Sequence, residues 1–206
     1  MNRMPPVLNQ RIRGAWDGFV RPVGRTLGRT GLSPNAITVV GVLIQAGSGY
    51  LIVEGRLVAA GFVAAAAGIA DLLDGAVAKA RGKATSFGAL LDSTTDRLSD
   101  ALFFVGVAWL YGVDPDVAAH DEPWVAAVAL AALVLTFLVS YVKARAESLG
   151  LECNIGLAER FERVALMVLG LVFGIVPVMV VVLAILSGIT FVQRMMYVSA
   201  QARRAG

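Results

Sequence analysis

Six stretches of this chain are long and apolar enough to cross a lipid bilayer as helices: residues 35–53, 57–80, 87–111, 124–148, 158–175 and 178–198. A bilayer crossing takes about 20 apolar residues of helix. The sequence therefore predicts an all-α, polytopic membrane protein with six transmembrane helices, the fifth and sixth separated by a tight turn around Pro177. Composition agrees. Of the 206 residues, 57% are hydrophobic and 16% charged, whereas an ordinary soluble domain has about 45–50% and about 25%. The same figures exclude a disordered chain.

The basic residues give an orientation. Six arginines (Arg3, Arg11, Arg13, Arg21, Arg25 and Arg29) precede the first span. Lys79, Arg81 and Lys83 lie between the second and third. Lys143, Arg145, Arg160 and Arg163 lie around the fourth-to-fifth connection, and Arg194, Arg203 and Arg204 near the C-terminus. The alternate loops hold Arg56, then the acidic run Asp114, Asp116, Asp121 and Glu122, then no charge. Basic loops stay cytoplasmic, so six spans with both termini inside fit the alternation, while five or seven would break it. No cleavable signal peptide is expected. Before the first span, Val7, Ile12, Trp16, Phe19 and Val20 alternate with arginines, the pattern of an interfacial amphipathic helix on the cytoplasmic leaflet. The expected organisation is an interfacial segment at 1–32, a membrane domain at 33–200 and a tail at 201–206.

Charge and side-chain inventory narrow the chemistry. A net charge of +3 is too small to argue for a nucleic-acid partner. A lone cysteine, Cys153, excludes an internal disulfide or a cysteine metal cage, and a lone histidine, His120, excludes a histidine site. Any metal must be held by carboxylates. Five of the 15 acidic residues (Asp71, Asp74, Asp92, Asp96 and Asp100) fall inside the second and third spans, where a charge is costly and marks function by default. Asp71 and Asp74 are spaced i, i+3, and Asp92 and Asp96 i, i+4, so each pair shares a helix face. The connection at 81–86 is short and polar. The two helices are thus expected as antiparallel neighbours, with these four carboxylates converging near the cytoplasmic side. Such a group needs positive charge among it. Mg²⁺ is a natural partner, because it bridges carboxylates to substrate phosphates, and two metals together would polarise a phosphate and stabilise a leaving oxygen. Gly75, Ala78 and Gly88 would clear space beside them. The alternative is structural pairing of the aspartates with Lys79, Arg81 and Arg97.

Asp71, Asp74, Gly75, Ala78 and Lys79, followed by Gly88, Asp92 and Asp96, resemble the signature of the CDP-alcohol phosphotransferase family, D-x₂-D-G-x₂-A-R, a spacer, then G-x₃-D-x₃-D. Every position matches but one, where Lys79 stands for the family's arginine. Its charge is kept and the planar fork lost. The resemblance implies a six-helix membrane enzyme, usually a homodimer, that transfers a phosphatidyl group from CDP-diacylglycerol to an alcohol and releases CMP. It implies that Asp71, Asp74 and Asp92 hold two divalent metals, Mg²⁺ or alternatively Mn²⁺. Asp96 would be both a ligand and the general base. Gly75, Lys79 and Thr85 would contact the nucleotide, with Ala78 and Gly88 on the same CDP-lipid surface. Ser33, Pro34, Asn35 and Ala36 resemble the family's short motif at the entry to the first span.

The acceptor is read from later residues. Lys143, Arg145, Arg160, Arg163 and Arg194 form a basic cluster suited to a phosphorylated alcohol, although positive-inside anchoring accounts for the same residues. The segments 140–147, 159–163 and 193–194 resemble the branch of the family formed by actinobacterial phosphatidylinositol-phosphate synthases. That resemblance implies inositol 1-phosphate as acceptor, with Lys143, Arg163 and Arg194 as phosphate ligands. Glycerol 3-phosphate, the acceptor of phosphatidylglycerophosphate synthases, is the alternative within the family. A divalent-cation transporter is the alternative outside it, against which stand the purely apolar outer halves of the spans. The expected location is the cell membrane, with the active site cytoplasmic. Among weaker signals, Gly170 and Gly174 suit close helix packing, within one chain or between two, and Cys153 reads as an inert loop thiol.

Overall fold

A computed structural model describes residues 33–80, 85–113, 122–157 and 160–205. The expected interfacial helix at 1–32, Arg81, Lys83 and His120 lie outside the described residues, as does the side chain of Lys79. The described residues form six helices and no strand: α1 (Pro34–Val53), α2 (Leu57–Ala80), α3 (Ser86–Gly112), α4 (Trp124–Ser148), α5 (Arg160–Val172) and α6 (Val176–Ala205).

Four of them, α1, α2, α4 and α6, are long and apolar enough to cross a membrane. The other two differ from the sequence expectation for separate reasons. Helix α3 has 27 residues, but Asp92, Asp96, Arg97 and Asp100 crowd its first half. Helix α5 has 13 residues rather than the 18 expected at 158–175, about 20 Å at 1.5 Å per residue, short of the ~30 Å hydrocarbon core. The turn before α6 is also displaced. It is made at Gly174, whose φ of 67° suits a residue without Cβ. Pro177 sits inside the first turn of α6, where its missing N–H costs no hydrogen bond. Helix α6 then runs past residue 200 to Ala205.

Each helix packs against two others, in the closed order α1, α2, α5, α6, α4, α3 and back to α1. Consecutive helices α2 and α3 do not pack on one another, contrary to the neighbour relation expected from their short connection; α1 lies between them. Helices α3 and α5 likewise make no backbone approach. One end of the ring is filled by a continuous apolar core from all six helices, including Ile52, Phe103, Phe104, Leu110, Leu171 and Leu183. Phe103 and Phe104 meet edge to face at 5.3 Å, a favoured aromatic geometry. These residues come from the C-terminal halves of α1, α3 and α5 and the N-terminal halves of α2, α4 and α6. The opposite helix halves carry the aspartates and the basic cluster.

Small and hydroxyl residues tie the ring together, as expected where water does not drive helix association. The Ser48 hydroxyl donates to the Ala60 carbonyl at 2.9 Å, joining α1 to α2. Thr136 and Ser187 join α4 to α6 at 3.3 Å. Gly170 packs against Met179 of α6, so this glycine serves packing within the chain. Helices α1 and α3 approach closely through Gly49 and Gly106: a Cβ on Gly106 would lie 3.1 Å from the Gly49 carbonyl oxygen. That neighbour is helix backbone and has little room to yield. Gly106→Val is therefore expected to cost about 1–3 kcal/mol by overpacking, seen as a lower apparent Tm in detergent. An unchanged Tm would contradict this packing.

Candidate active site

Asp71 and Asp74 come from the last three turns of α2, and Asp92 from the second turn of α3. Because α1 separates those helices, the carboxylates meet across a gap: Asp71, Asp74 and Asp92 each offer an oxygen within 4.8 Å of the others. Asp74 is buried, with 4% of its surface exposed; Asp71 is half-buried and Asp92 exposed. Thr38 of α1 supports the buried member. Its hydroxyl lies 2.5 Å from Asp74 Oδ2 and 3.1 Å from the Pro34 carbonyl. One hydroxyl proton serves both, and the charged carboxylate is the stronger acceptor. Three hard oxygen donors at this spacing fit a divalent cation, so the cluster can hold a metal ion.

Asp96 is not part of this triad. One turn further along α3, its Oδ1 lies 2.6 Å from Arg160 Nη1, and its Oδ2 lies 3.8 Å from Arg97 Nη1. The same Arg160 nitrogen hydrogen-bonds Asp71 Oδ1. One further turn on, Asp100 meets Arg163 of α5 at 3.1 Å. Both members of this second pair are nearly closed to solvent, with side-chain exposures of 6% and 9%. Two arginines of α5 thus reach two aspartates of α3 across the middle of the ring.

These bridges stand between two cavities. The smaller, about 40 Å³, lies among α1, α2, α3 and α5 and includes Thr38, Gln45, Asp71 and Asp74. The larger, about 380 Å³, is lined by α3, α4, α5, α6 and the segment after α4. Its walls carry five cationic side chains (Arg97, Lys143, Arg160, Arg163 and Arg194) against two carboxylates, Asp96 and Asp100. Arg160 and Asp100 line both cavities. The segment after α4 is pinned to α6: Gln201 donates to the Glu152 carbonyl at 2.7 Å, and Arg194 Nε to the Ile155 carbonyl at 2.9 Å. Arg194 Nη1 also donates to the Val139 carbonyl of α4 at 2.7 Å. Cys153 is buried there, in a small apolar cluster with Val142 and Ala146.

The structure brings some of the expected residues together and gives others a local role. Lys143, Arg163 and Arg194 do share one cavity. Arg163, however, is engaged by Asp100, and Lys143 lies 3.9 Å from Glu147. Ser33 and Thr85 are N-caps, accepting hydrogen bonds from the amides of Ala36 at 3.1 Å and Gly88 at 3.0 Å. Asn35 lies beside Gly88, so the starts of α1 and α3 adjoin. Pro34 is the first residue of α1 and Ala36 is exposed; Ala78 is half-buried. Gly75 faces open space, with no atom within 4 Å of where a Cβ would stand. Sequence reasoning missed Thr38, placed Arg160 only in the basic cluster and not against the aspartates, and marked Asp100 as an intramembrane charge without naming its partner. The signal for Thr38 is a polar residue, with Gln45, on one face of an apolar helix. That for Asp100 is the continuing four-residue ladder from Asp92 and Asp96. Arg160 was one of several cations in that cluster, and its reach to α2 and α3 left no trace in spacing.

Three carboxylates that can hold a metal ion thus sit beside a strongly basic cavity, in a ring of helices of which four are long and apolar enough to cross a membrane. Comparison with known proteins gives the family. Residues 31–199 match CDP-alcohol phosphatidyltransferase, and the chain belongs to that family. It is 35% identical to the archaetidylinositol phosphate synthase of Methanothermobacter thermautotrophicus, over 96% of this chain and 93% of that one. It is 39% identical to the phosphatidylinositol phosphate synthase of Mycobacterium tuberculosis, over 89% and 87% of the two chains. A crystal structure of a Mycobacterium tuberculosis phosphatidylinositol phosphate synthase with CDP-DAG bound superposes with a TM-score of 0.78 at 34% identity, covering 87% of this chain and 93% of that one. A second, in complex with manganese and citrate, gives 0.77 at 36% identity, covering 87% and 88%.

The buried Asp100–Arg163 pair gives a direct test of the site's internal electrostatics. Removing one partner of such a pair leaves a buried charge uncompensated and costs about 3–5 kcal/mol, whereas replacing both with apolar residues is often neutral. Asp100→Ala should lower the apparent Tm sharply, and Asp100→Leu combined with Arg163→Met should recover most of it. Equal, additive losses would contradict the pairing.

Proposed function

We propose that this protein transfers the phosphatidyl group of CDP-diacylglycerol to inositol 1-phosphate, releasing CMP and forming phosphatidylinositol phosphate. The observation that carries the reading is the larger cavity. Its five cationic side chains open directly onto Asp96, beside the carboxylate triad. An acceptor bearing its own phosphate matches the excess of positive charge on those walls, five cations against two carboxylates, which free inositol or serine does not. Glycerol 3-phosphate is the competing acceptor. The apolar core that fills the far end of the ring favours an enzyme over a cation transporter.

In this reading Asp71, Asp74, Asp92 and Asp96 would hold two Mg²⁺ ions, with Mn²⁺ as the alternative, which would supply positive charge for the diphosphate and its leaving oxygen. Thr38 orients Asp74 through its hydrogen bond. The adjoining starts of α1 and α3 add partial positive charge for the donor phosphates, and the open space at Gly75 admits the CDP moiety. Lys143, Arg163 and Arg194 hold the acceptor's phosphate, with Asp100 fixing Arg163. Asp96 takes the proton from the attacking hydroxyl. That oxygen bonds to the lipid-linked phosphorus as CMP departs, and acceleration comes from positioning and charge. The protein lies in the cell membrane as a homodimer. All six helices are embedded, α5 and the charged half of α3 are sheltered by their neighbours, and both termini and the site are cytoplasmic.

The test is CMP release by the purified protein with Mg²⁺, offered inositol 1-phosphate, glycerol 3-phosphate, free inositol or serine separately. Release with inositol 1-phosphate, abolished by EDTA, is the expected result; release with glycerol 3-phosphate alone would overturn the acceptor. Asp96→Asn should lower turnover by about 10²–10⁴-fold, the range for losing a general base, while Mn²⁺ still binds. Near-normal turnover would remove Asp96 from that role.

A further inference from the structure

Arg160 is placed where no loop cation needs to be. It is the first residue of α5, yet one guanidinium nitrogen faces carboxylates of both α2 and α3 and the side chain lines both cavities. Its ion pairs are close but incompletely hydrogen-bonded. Among the described residues, Arg160 Nε is buried without a partner, and Asp96 Oδ1 accepts no well-aligned hydrogen bond despite lying 2.6 Å from Nη1. A partly buried pair with orphaned polar atoms gains little beyond charge neutralisation. A divalent cation among the same carboxylates supplies that neutralisation more fully.

From this geometry we infer that Arg160 is the exchangeable counter-charge of the site. It neutralises Asp71 and Asp96 while the triad is free of cation, and gives them up when the cation binds. Its guanidinium then serves the larger cavity, whose wall it already forms, and adds positive charge for the acceptor's phosphate. The inference rests on the proposed metal and acceptor sites and adds a linkage between them: cation binding strengthens acceptor binding, and by reciprocity acceptor binding strengthens cation binding by the same factor. Four carboxylates and two divalent cations balance in charge, which leaves Arg160 unneeded at the triad once both are present.

The experiment is calorimetric titration of the purified full-length protein with Mn²⁺, with and without inositol 1-phosphate and without the CDP-lipid. Arg160→Gln removes the competitor. It should bind Mn²⁺ more tightly than the unmodified protein by at least about fivefold, the low end of ordinary couplings, and should lose the effect of inositol 1-phosphate on Mn²⁺ affinity. Arg160→Lys keeps the charge and should bind Mn²⁺ much as the unmodified protein does. Equal or weaker binding in Arg160→Gln would overturn the inference and leave the proposed function standing. Should Arg160→Gln not fold, the unmodified protein decides: inositol 1-phosphate must tighten Mn²⁺ binding, and no effect or a weakening overturns the linkage. Absence of Mn²⁺ binding to the unmodified protein would overturn the metal site itself, and the inference with it.

Discussion

Arg160 and Arg163 reaching Asp96 and Asp100 across the ring are the contacts on which the site depends. Without them α3 and α5 would face each other across a space that their backbones do not close. Helices that packed directly there would leave no cavity. Long cationic side chains span the gap and divide it, with the triad on one side and the basic cavity on the other. The cost of that arrangement is several charges away from water. It is offset by pairing and by the apolar core that holds the other end of the six helices in place.

This division separates two electrostatic tasks that would conflict in one space. A cation site needs concentrated negative charge, and a phosphate pocket needs the opposite. Asp71, Asp74 and Asp92 supply the first and the cations around Lys143 and Arg194 the second. Asp96 sits at the border, touched from either side by Arg160 and Arg97. In the proposed reaction a carboxylate there would adjoin both a donor phosphate at the triad and an acceptor in the basic cavity, the position a proton acceptor between them requires.

Much of this was legible in the residues. Aspartates at helical spacing inside apolar stretches pointed to the site, because hydrocarbon makes such residues too costly to keep without a function. Helix α4 and the long apolar runs of α1, α2 and α6 followed from length and hydropathy alone. What escaped was relative placement. Nothing in the connection at 81–86 says that α1 will lie between α2 and α3, since that order is set by close approach at Gly49 and Gly106. The shortness of α5 was hidden by an apolar run continuing through Phe173 and Ile175, which the Gly174 turn interrupts. Arg160 and Arg163 read as members of a basic cluster for an acceptor phosphate, and their pairing with Asp71, Asp96 and Asp100 did not show because those partners are distant in sequence.

The most direct measurement is an anomalous difference map from crystals of the protein grown with Mn²⁺. A manganese peak within coordinating distance of Asp71, Asp74 and Asp92, on the side of the arginine bridges away from Lys143, is what this account predicts. A peak elsewhere, or none at Mn²⁺ concentrations that support CMP release, would contradict it.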